Sequence, residues 1–261
     1  MNARADVRPL QPKAPRIRLL GGEVDAVTPA DVIAFTGGCI ALGKRAIVAN
    51  HNLHSLHLAR RDAQMRAFYA AADLIEADST PLIAWGRLLG RAIGPEHRAT
   101  YLDWREDFWR AAAAGGWRVF YLGGAPGVAE RGASAVLGRW PDVQIGVEDG
   151  YFDLDDALET DEILQMIKEF QPDVLFVGMG MPRQERWVLA HHHALPSCVV
   201  FTVGAAFDYE AGASRTPPRW SGRLGVEWLF RFFSEPRRLF SRYFLEPWSL
   251  IGPALADLRS R

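Results

Sequence analysis

Six short apolar runs constrain this chain more than anything else in it. They are "RAIVAN" (45–50), "ADLIEA" (72–77), "WRVFYLGG" (117–124), "VQIGV" (143–147), "PDVLFVGMG" (172–180) and "CVVFTVGAAFD" (198–208). None alternates cleanly between apolar and polar residues, so each is a strand that needs cover on both faces. The stretches between them read as helices. One follows the first run through about Tyr69, "PLIAWGRLLG" (81–90) opens on proline and closes on glycine, and "DWREDFWRAAAAGG" (103–116) ends in glycines. "PGVAERGASAVLGRW" (126–140), "TDEILQMIKEF" (160–170, with Thr160 as its cap) and "PRQERWVLAHHH" (182–193) complete the set. Strands joined through helices run parallel, because only a long crossover returns the chain to the same end of a sheet. The expected fold is therefore α/β: a Rossmann-like open, mostly parallel sheet flanked by helices, with a helical C-terminal appendage.

The 261 residues, 49% of them hydrophobic, suffice for one large core, and a net charge of −1 argues against a nucleic-acid partner. Cys39 and Cys198 lie in or beside apolar segments and make no ligand pattern, so both read as buried free thiols. Residues 1–16 read as a flexible polar leader without the apolar core of a secretion signal, and no window is long and apolar enough to span a bilayer. A cytoplasmic protein is expected. The charge is uneven, however. From Arg215 to Arg261 there are nine arginines, no lysine and four acids, together with nine aromatic residues. The expected division is an α/β domain over 17–214 and a basic, aromatic helical appendage over 215–261.

In open α/β sheets ligands bind beyond the carboxyl ends of the strands. The residues there are Asn50 and Asn52; Asp78 and Ser79; Gly123 and Gly124; Gly150 and Tyr151; Gly178 through Glu185, including Gly180 and Gln184; and Gly204 to Asp208. "YLGGAPG" (121–127) could cradle a phosphate on free backbone N–H groups or simply be a turn. Asp78 reads either as a general base in a half-buried cleft or as a helix cap, a role Ser79 or Thr80 could equally fill. The metal signals are weak. "DLD" (153–155) sits in an acidic loop where helix caps explain it, and three consecutive histidines (191–193) point in different directions. His54 and His57 could share a helix face without a carboxylate-rich partner. No metal and no cofactor is expected.

Taken in order, "NHNLHSLHLA" (50–59), "ADLIEADSTPLIAWGRLLG" (72–90), "RATYLD" (98–103), "VFYLGGAPGVAE" (119–130), "GYF" (150–152), "PDVLFVGMGMPRQERW" (172–187), "GAAFDYEAG" (204–212), "PPRW" (217–220) and "GVEWLFRFFSEPRR" (225–238) resemble the WecG/TagA/CpsF glycosyltransferases, glycosyltransferase family 26. The resemblance runs from about residue 16 to 248. It implies an inverting, metal-independent transfer of a sugar from a UDP-sugar to a polyprenyl-diphosphate-linked sugar, for bacterial polysaccharide synthesis at the inner face of the cell membrane. It also implies that Asp78 is the catalytic base, that Asn52 and Arg98 are active-site residues, and that Gln184 and Asp208 contact the nucleotide sugar. Asn50, Thr100, Gly123, Gly124, Gly180 and Glu185 fall within or beside the matching motifs, and Tyr151 is a candidate for stacking on the nucleotide. Arg231 and Arg238 lie in the segment assigned to the leaving diphosphate, and the rest of the appendage to an anionic membrane surface. A homo-oligomer is a further implication.

Three positions depart from the family pattern: Asn50 for a common threonine, and Ser79 and Tyr101 for common glycines. All three sit near the implied sugar site, so N-acetylmannosamine, its uronic acid and glucose all stay open as donors, and Ser79 and Tyr101 would narrow the pocket. Two other functions compete. A nucleotide-dependent oxidoreductase would use the same sheet, but G-x-G-x-x-G is missing. A non-enzymatic membrane-docking scaffold would use the tail, but leaves the polar strand ends unexplained.

Overall fold

A computed structural model describes residues 14–214, 227–234 and 236–260. Six strands form one sheet: β3 (Ala46–His51), β4 (Leu74–Ala77), β5 (Arg118–Gly123), β6 (Gln144–Glu148), β7 (Val174–Gly178) and β8 (Val199–Thr202). Their order is β4-β3-β8-β7-β5-β6, and every pairing is parallel. This is the Rossmann-like α/β fold expected from the apolar runs. The strand residues divide between two cores. Ile47, Ala49, Ile75, Leu122, Leu175 and Val200 face one layer of helices. Val48, Leu74, Val119, Phe176, Val199 and Phe201 face the other, where Trp104, Phe108 and Trp109 pack on them.

Two aspartates set the strand starts. Asp73, just before β4, accepts from the Ile47 N–H at 2.8 Å, and Asp173, just before β7, accepts from the Arg118 N–H at 2.8 Å. Each ties one strand to its neighbour at the end opposite the candidate site, where a parallel sheet leaves amides without ladder partners.

The chain departs from the sequence reading in several places. An antiparallel hairpin of β1 (Arg16–Leu19) and β2 (Gly22–Asp25) precedes the sheet, and α1 (Pro29–Ala41) follows it. Both escaped the sequence reading: four-residue strands give little periodicity to see. The hairpin docks through buried Asp25, which holds Arg16 at 2.9 Å and accepts from the Ile75 N–H at 2.8 Å. The long helix ending near Tyr69 is two helices, α2 (Leu53–Arg61) and α3 (Ala63–Ala71), because Asp62 leaves helical geometry to cap the second. In α7 (Ala157–Phe170) the cap is Asp156, whose carboxylate accepts from the Leu158 and Glu159 N–H groups. Thr160, expected as the cap, lies inside the helix and is buried. The last run is a strand only to Thr202, and Asp208 lies on the short helix α9 (Ala206–Glu210). The free cysteines are buried as expected, which pushes Cys39 up to about 11 and Cys198 up to about 12.

The C-terminal segment is helical over Glu227–Ser234, Pro236–Phe240 and Ile251–Arg259, with short helical turns over Ser241–Leu245 and Glu246–Leu250. Among the described residues no helix is long and apolar enough to cross a membrane. The segment is bonded to the sheet layers by Asp257, a buried carboxylate that accepts from the Leu20 N–H at 2.7 Å and the Trp85 indole at 3.0 Å. Asp257→Ala would strand both donors and should cost roughly 2 kcal/mol of stability, read as a lowered denaturant midpoint.

Candidate active site

At the carboxyl ends of the strands the backbones approach too closely for side chains. A Cβ on Gly123 would meet the Gly178 carbonyl oxygen at 2.4 Å, and one on Gly178 would meet the Tyr121 hydroxyl at 2.3 Å. With these bulky groups excluded, a cleft of about 1650 Å³ opens over the sheet edge. Asn50, Asn52, Asp78, Thr100, Gly124, Tyr151, Gly180, Gln184 and Asp208, all singled out from sequence, line it.

Asn52 follows β3 and caps α2. Its Oδ1 accepts from the Ser55 N–H at 3.0 Å, while its Nδ2 lies 3.5 Å from Asp78 Oδ2, the outer limit of a hydrogen bond. Asp78 follows β4, with its own N–H donating to the His51 carbonyl at 2.9 Å. The first residue before α4 (Thr80–Leu88) is Ser79, which makes no side-chain cap bond, so Asp78 is not that helix's cap. Half-buried at the cleft wall, Asp78 has the setting of a general base.

Arg98 runs beside the end of β4, where Ala77 and Arg98 form an isolated parallel bridge. Its guanidinium binds Asp103 at 2.7 Å, and the other Asp103 oxygen accepts from the Thr100 hydroxyl at 2.9 Å. Arg98 does not line the cleft; through Asp103 it holds Thr100, which does. Tyr101 also lines the cleft, but its hydroxyl donates to Glu210 at 2.9 Å and its ring packs edge-on against Trp104 and Phe176. Ser79 does not line it.

The opposite side is built from α8 (Arg183–His191) and the loops before it. Gln184 is buried, and its Oε1 accepts from both the Gly180 and Gly204 N–H groups at 3.2 Å, joining the loops after β7 and β8. Its Nε2 donates to Glu185 at 2.8 Å. Glu185 lies behind the cleft, fully buried, with Oε2 unpartnered. Arg183 stacks on Phe152 at 4.9 Å and donates to the carbonyls of Gly150 and Phe152, which holds the Tyr151 loop against α8. Tyr151 itself stands exposed on the rim. Gly123 is packed against β7, and the Gly124 N–H donates to the Gly178 carbonyl at 3.2 Å, so that amide is already occupied and does not face a phosphate.

Three site features escaped the sequence reading. Glu76 is a buried carboxyl inside β4, bonded to the Trp104 indole at 2.8 Å. Its only sequence signal is an acid within an otherwise apolar strand. His54 meets Glu246 at 2.5 Å and His57 meets Ser249 at 2.8 Å, so these two histidines dock the C-terminal segment against α2. Phe230, Phe233, Leu239 and Tyr243 of that segment form one wall of the cleft. The side chains of Arg231 and Arg238 lie outside the described residues. The acidic "DLD" loop is engaged in local bonding, with Asp153 accepting from the Asp155 N–H at 3.0 Å. No group of three or more His, Cys, Asp or Glu is placed to hold a metal ion among the described residues.

Fold and cleft define a Rossmann-like α/β protein with a carboxylate–amide pair in a large cleft at its strand ends. The chain belongs to the WecG/TagA/CpsF family of glycosyl transferases, whose family model matches residues 17–261. Among curated relatives it is 32% identical over 168 residues to proteins from Staphylococcus aureus strains MW2 and NCTC 8325, and 31% to one from strain MRSA252. All three are named N-acetylglucosaminyldiphosphoundecaprenol N-acetyl-beta-D-mannosaminyltransferase. The matched stretch spans 64% of this chain and 64% of each relative.

Burial pushes Glu185 up to about 7, while an exposed glutamate titrates near 4.5. Above the unfolded value the unfolded chain sheds this proton and the folded chain keeps it, so stability falls as pH rises and levels off above about 7. The loss should total roughly 3 kcal/mol. Urea unfolding at pH 5 and pH 7.5 isolates this contribution as a difference. Stability should change less favourably with rising pH in the wild type than in Glu185→Gln, since Glu76, raised by burial, and His51, lowered by burial to about 3, act alike in both.

Proposed function

We propose that this chain transfers a sugar from a UDP-sugar to a polyprenyl-diphosphate-linked sugar, with inversion and without metal, in bacterial polysaccharide synthesis. The observation that carries the reading is the Asp78 carboxylate beside the Asn52 amide at the cleft wall. Family membership and the relatives' names, which specify a diphosphoundecaprenol-linked acceptor, supply the reaction class.

In this mechanism Asp78 takes the proton of the acceptor hydroxyl as its oxygen attacks the anomeric carbon. The bond from that carbon to the UDP oxygen breaks on the opposite face, and negative charge develops on the departing diphosphate. Asn52, held by Ser55, steadies the Asp78 carboxylate without neutralising it. Arg98 acts as a positioning residue through Asp103 and Thr100. The donor lies along Gly180, Gln184 and Asp208, with Tyr151 over the base. Arg231 and Arg238 supply positive charge to the leaving group, a task for which guanidinium is well suited. N-acetylmannosamine, its uronic acid and glucose are the candidate sugars.

Residues 215–261 serve in this reading as a membrane-associating unit on the inner face of the cell membrane. Phe233 and Trp248 are 77% and 71% exposed, and Phe240, Phe244 and Leu245 are also exposed. Side chains of this kind bury in the headgroup region of a bilayer. Phe240→Ser with Trp248→Ser should reduce co-sedimentation with anionic phosphatidylglycerol vesicles several-fold while leaving UDP binding intact; unchanged sedimentation would count against the assignment.

The decisive experiment is calorimetric titration with UDP in EDTA, paired with a transfer assay. Wild type should bind UDP saturably. Asp78→Asn should retain that binding and lose transfer by about 10²- to 10⁴-fold. Near-normal turnover in Asp78→Asn would overturn the mechanism.

A further inference from the structure

Two histidines one helical turn apart on α2 meet the C-terminal segment, and they meet it differently. His57 has both ring nitrogens engaged: Nδ1 lies 2.8 Å from the Ser249 hydroxyl, and Nε2 lies 3.4 Å from the Arg61 guanidinium. It is buried and does not line the cleft, so docking explains it in full. His54 is held through one nitrogen. Its Nδ1 sits 2.5 Å from a Glu246 carboxylate oxygen, and its Nε2 makes no hydrogen bond among the described residues. Its side chain is 18% exposed, and both His54 and Glu246 line the cleft, as does Asn52 at the head of the same helix.

The pairing fixes the chemistry of the ring. A carboxylate only accepts, so the nitrogen facing Glu246 carries the proton. Burial first, and then the Arg242 guanidinium, lowers the His54 pKa in spite of Glu246, and the first turn of α2 sets the ring against the positive end of the helix dipole. The imidazole is therefore neutral, and Nε2 presents a lone pair. A diphosphate has no proton to offer that lone pair, whereas a sugar hydroxyl has one. Position separates the two sugars. In the sugar-transfer reading the donor lies along Gly180, Gln184 and Asp208, beyond β7 and β8. His54 stands instead two residues past Asn52, where α2 joins the segment that carries the exposed aromatic residues. A lipid-linked sugar coming from a membrane enters the cleft at this corner.

We infer that His54, held by Glu246, recognises the acceptor sugar, with Nε2 accepting a hydrogen bond from a ring hydroxyl other than the one Asp78 deprotonates. The inference rests on the sugar-transfer reading above and deepens it by assigning a contact to the acceptor. His54 binds and takes no proton, so Asp78 remains the base. Because Glu246 belongs to the C-terminal segment, the ring is set for this contact only with that segment docked.

N-acetylglucosaminyl-diphosphofarnesol carries the acceptor sugar that the relatives' names specify, and farnesyl diphosphate lacks it. Calorimetry with this pair on UDP-saturated protein therefore isolates the sugar from lipid and diphosphate. Wild type should bind the sugar-bearing compound at least tenfold more tightly. His54→Leu should cut that margin about fivefold, the effect of one hydrogen bond, and leave farnesyl diphosphate and UDP within twofold. His57→Leu removes a docking bond but no cleft acceptor, and should keep the margin. An equal loss in both variants overturns the inference, because docking alone then explains it. So does an unchanged margin in His54→Leu, or no margin in the wild type. In each case intact UDP binding leaves the transferase reading standing. Should His54→Leu itself lose UDP binding, Glu246→Ala carries the test. It frees the ring without removing it and should cut the margin about threefold; a margin kept there overturns the inference. Absence of UDP binding in the wild type overturns both.

Discussion

A sheet buried on both faces has one place left for chemistry, its carboxyl edge, and everything about this site follows from that restriction. The strands are apolar because two helical layers press on them. Polar side chains therefore gather where the strands stop. Gly123 and Gly178 bring two backbones together at that edge with no room for a Cβ, while Asn52 and Asp78 line the opening just beyond the ends of two neighbouring strands. The cleft is what remains when the middle of the edge is kept low and its sides are raised.

The same restriction explains how the polar groups are supported. Gln184 joins two glycine loops by accepting from Gly180 and Gly204, so the wall after β7 and the wall after β8 are tied to one side chain. Asp103 engages Arg98 and Thr100 together, and Ser55 holds Asn52. In the last two cases a residue outside the reacting pair holds the side chain of one that faces the cleft, the arrangement a preorganised site requires. The C-terminal segment joins this framework through Asp257, His54–Glu246 and His57–Ser249. Its attachment to α2, through His54 and His57, lies within about a turn and a half of Asn52, the cap of that helix.

Much of the framework was legible in the residue order. Parallel strands, covering helices and the polar strand ends follow from apolar runs set helix-lengths apart, because burial on two faces leaves a signature that needs no partner to read. The elements that were misread are short or locally ambiguous. The hairpin at Arg16–Asp25 is held by one aspartate reaching another strand, a long-range bond with no local pattern. Asp156 and Thr160 are both good cap residues, and the register of α7 against the core selected the first. Asp62 breaks a helix that looked continuous, since its side chain caps the next one.

For the site, the sequence by itself determined the ingredients: Asp78 and Asn52 at strand ends, glycines where backbones meet, and "PRQE" at a helix start. Local chemistry and order along the chain suffice for that, because strand ends are marked by the residues that terminate them. Only the tertiary structure decided which of them share a cleft. It bonded Arg98 to Asp103, buried Glu185 behind the wall, and set Glu76 beside Asn50 on neighbouring strands. These pairings join residues that are distant in the chain, and parallel strand order, which no single segment encodes, is what makes them neighbours.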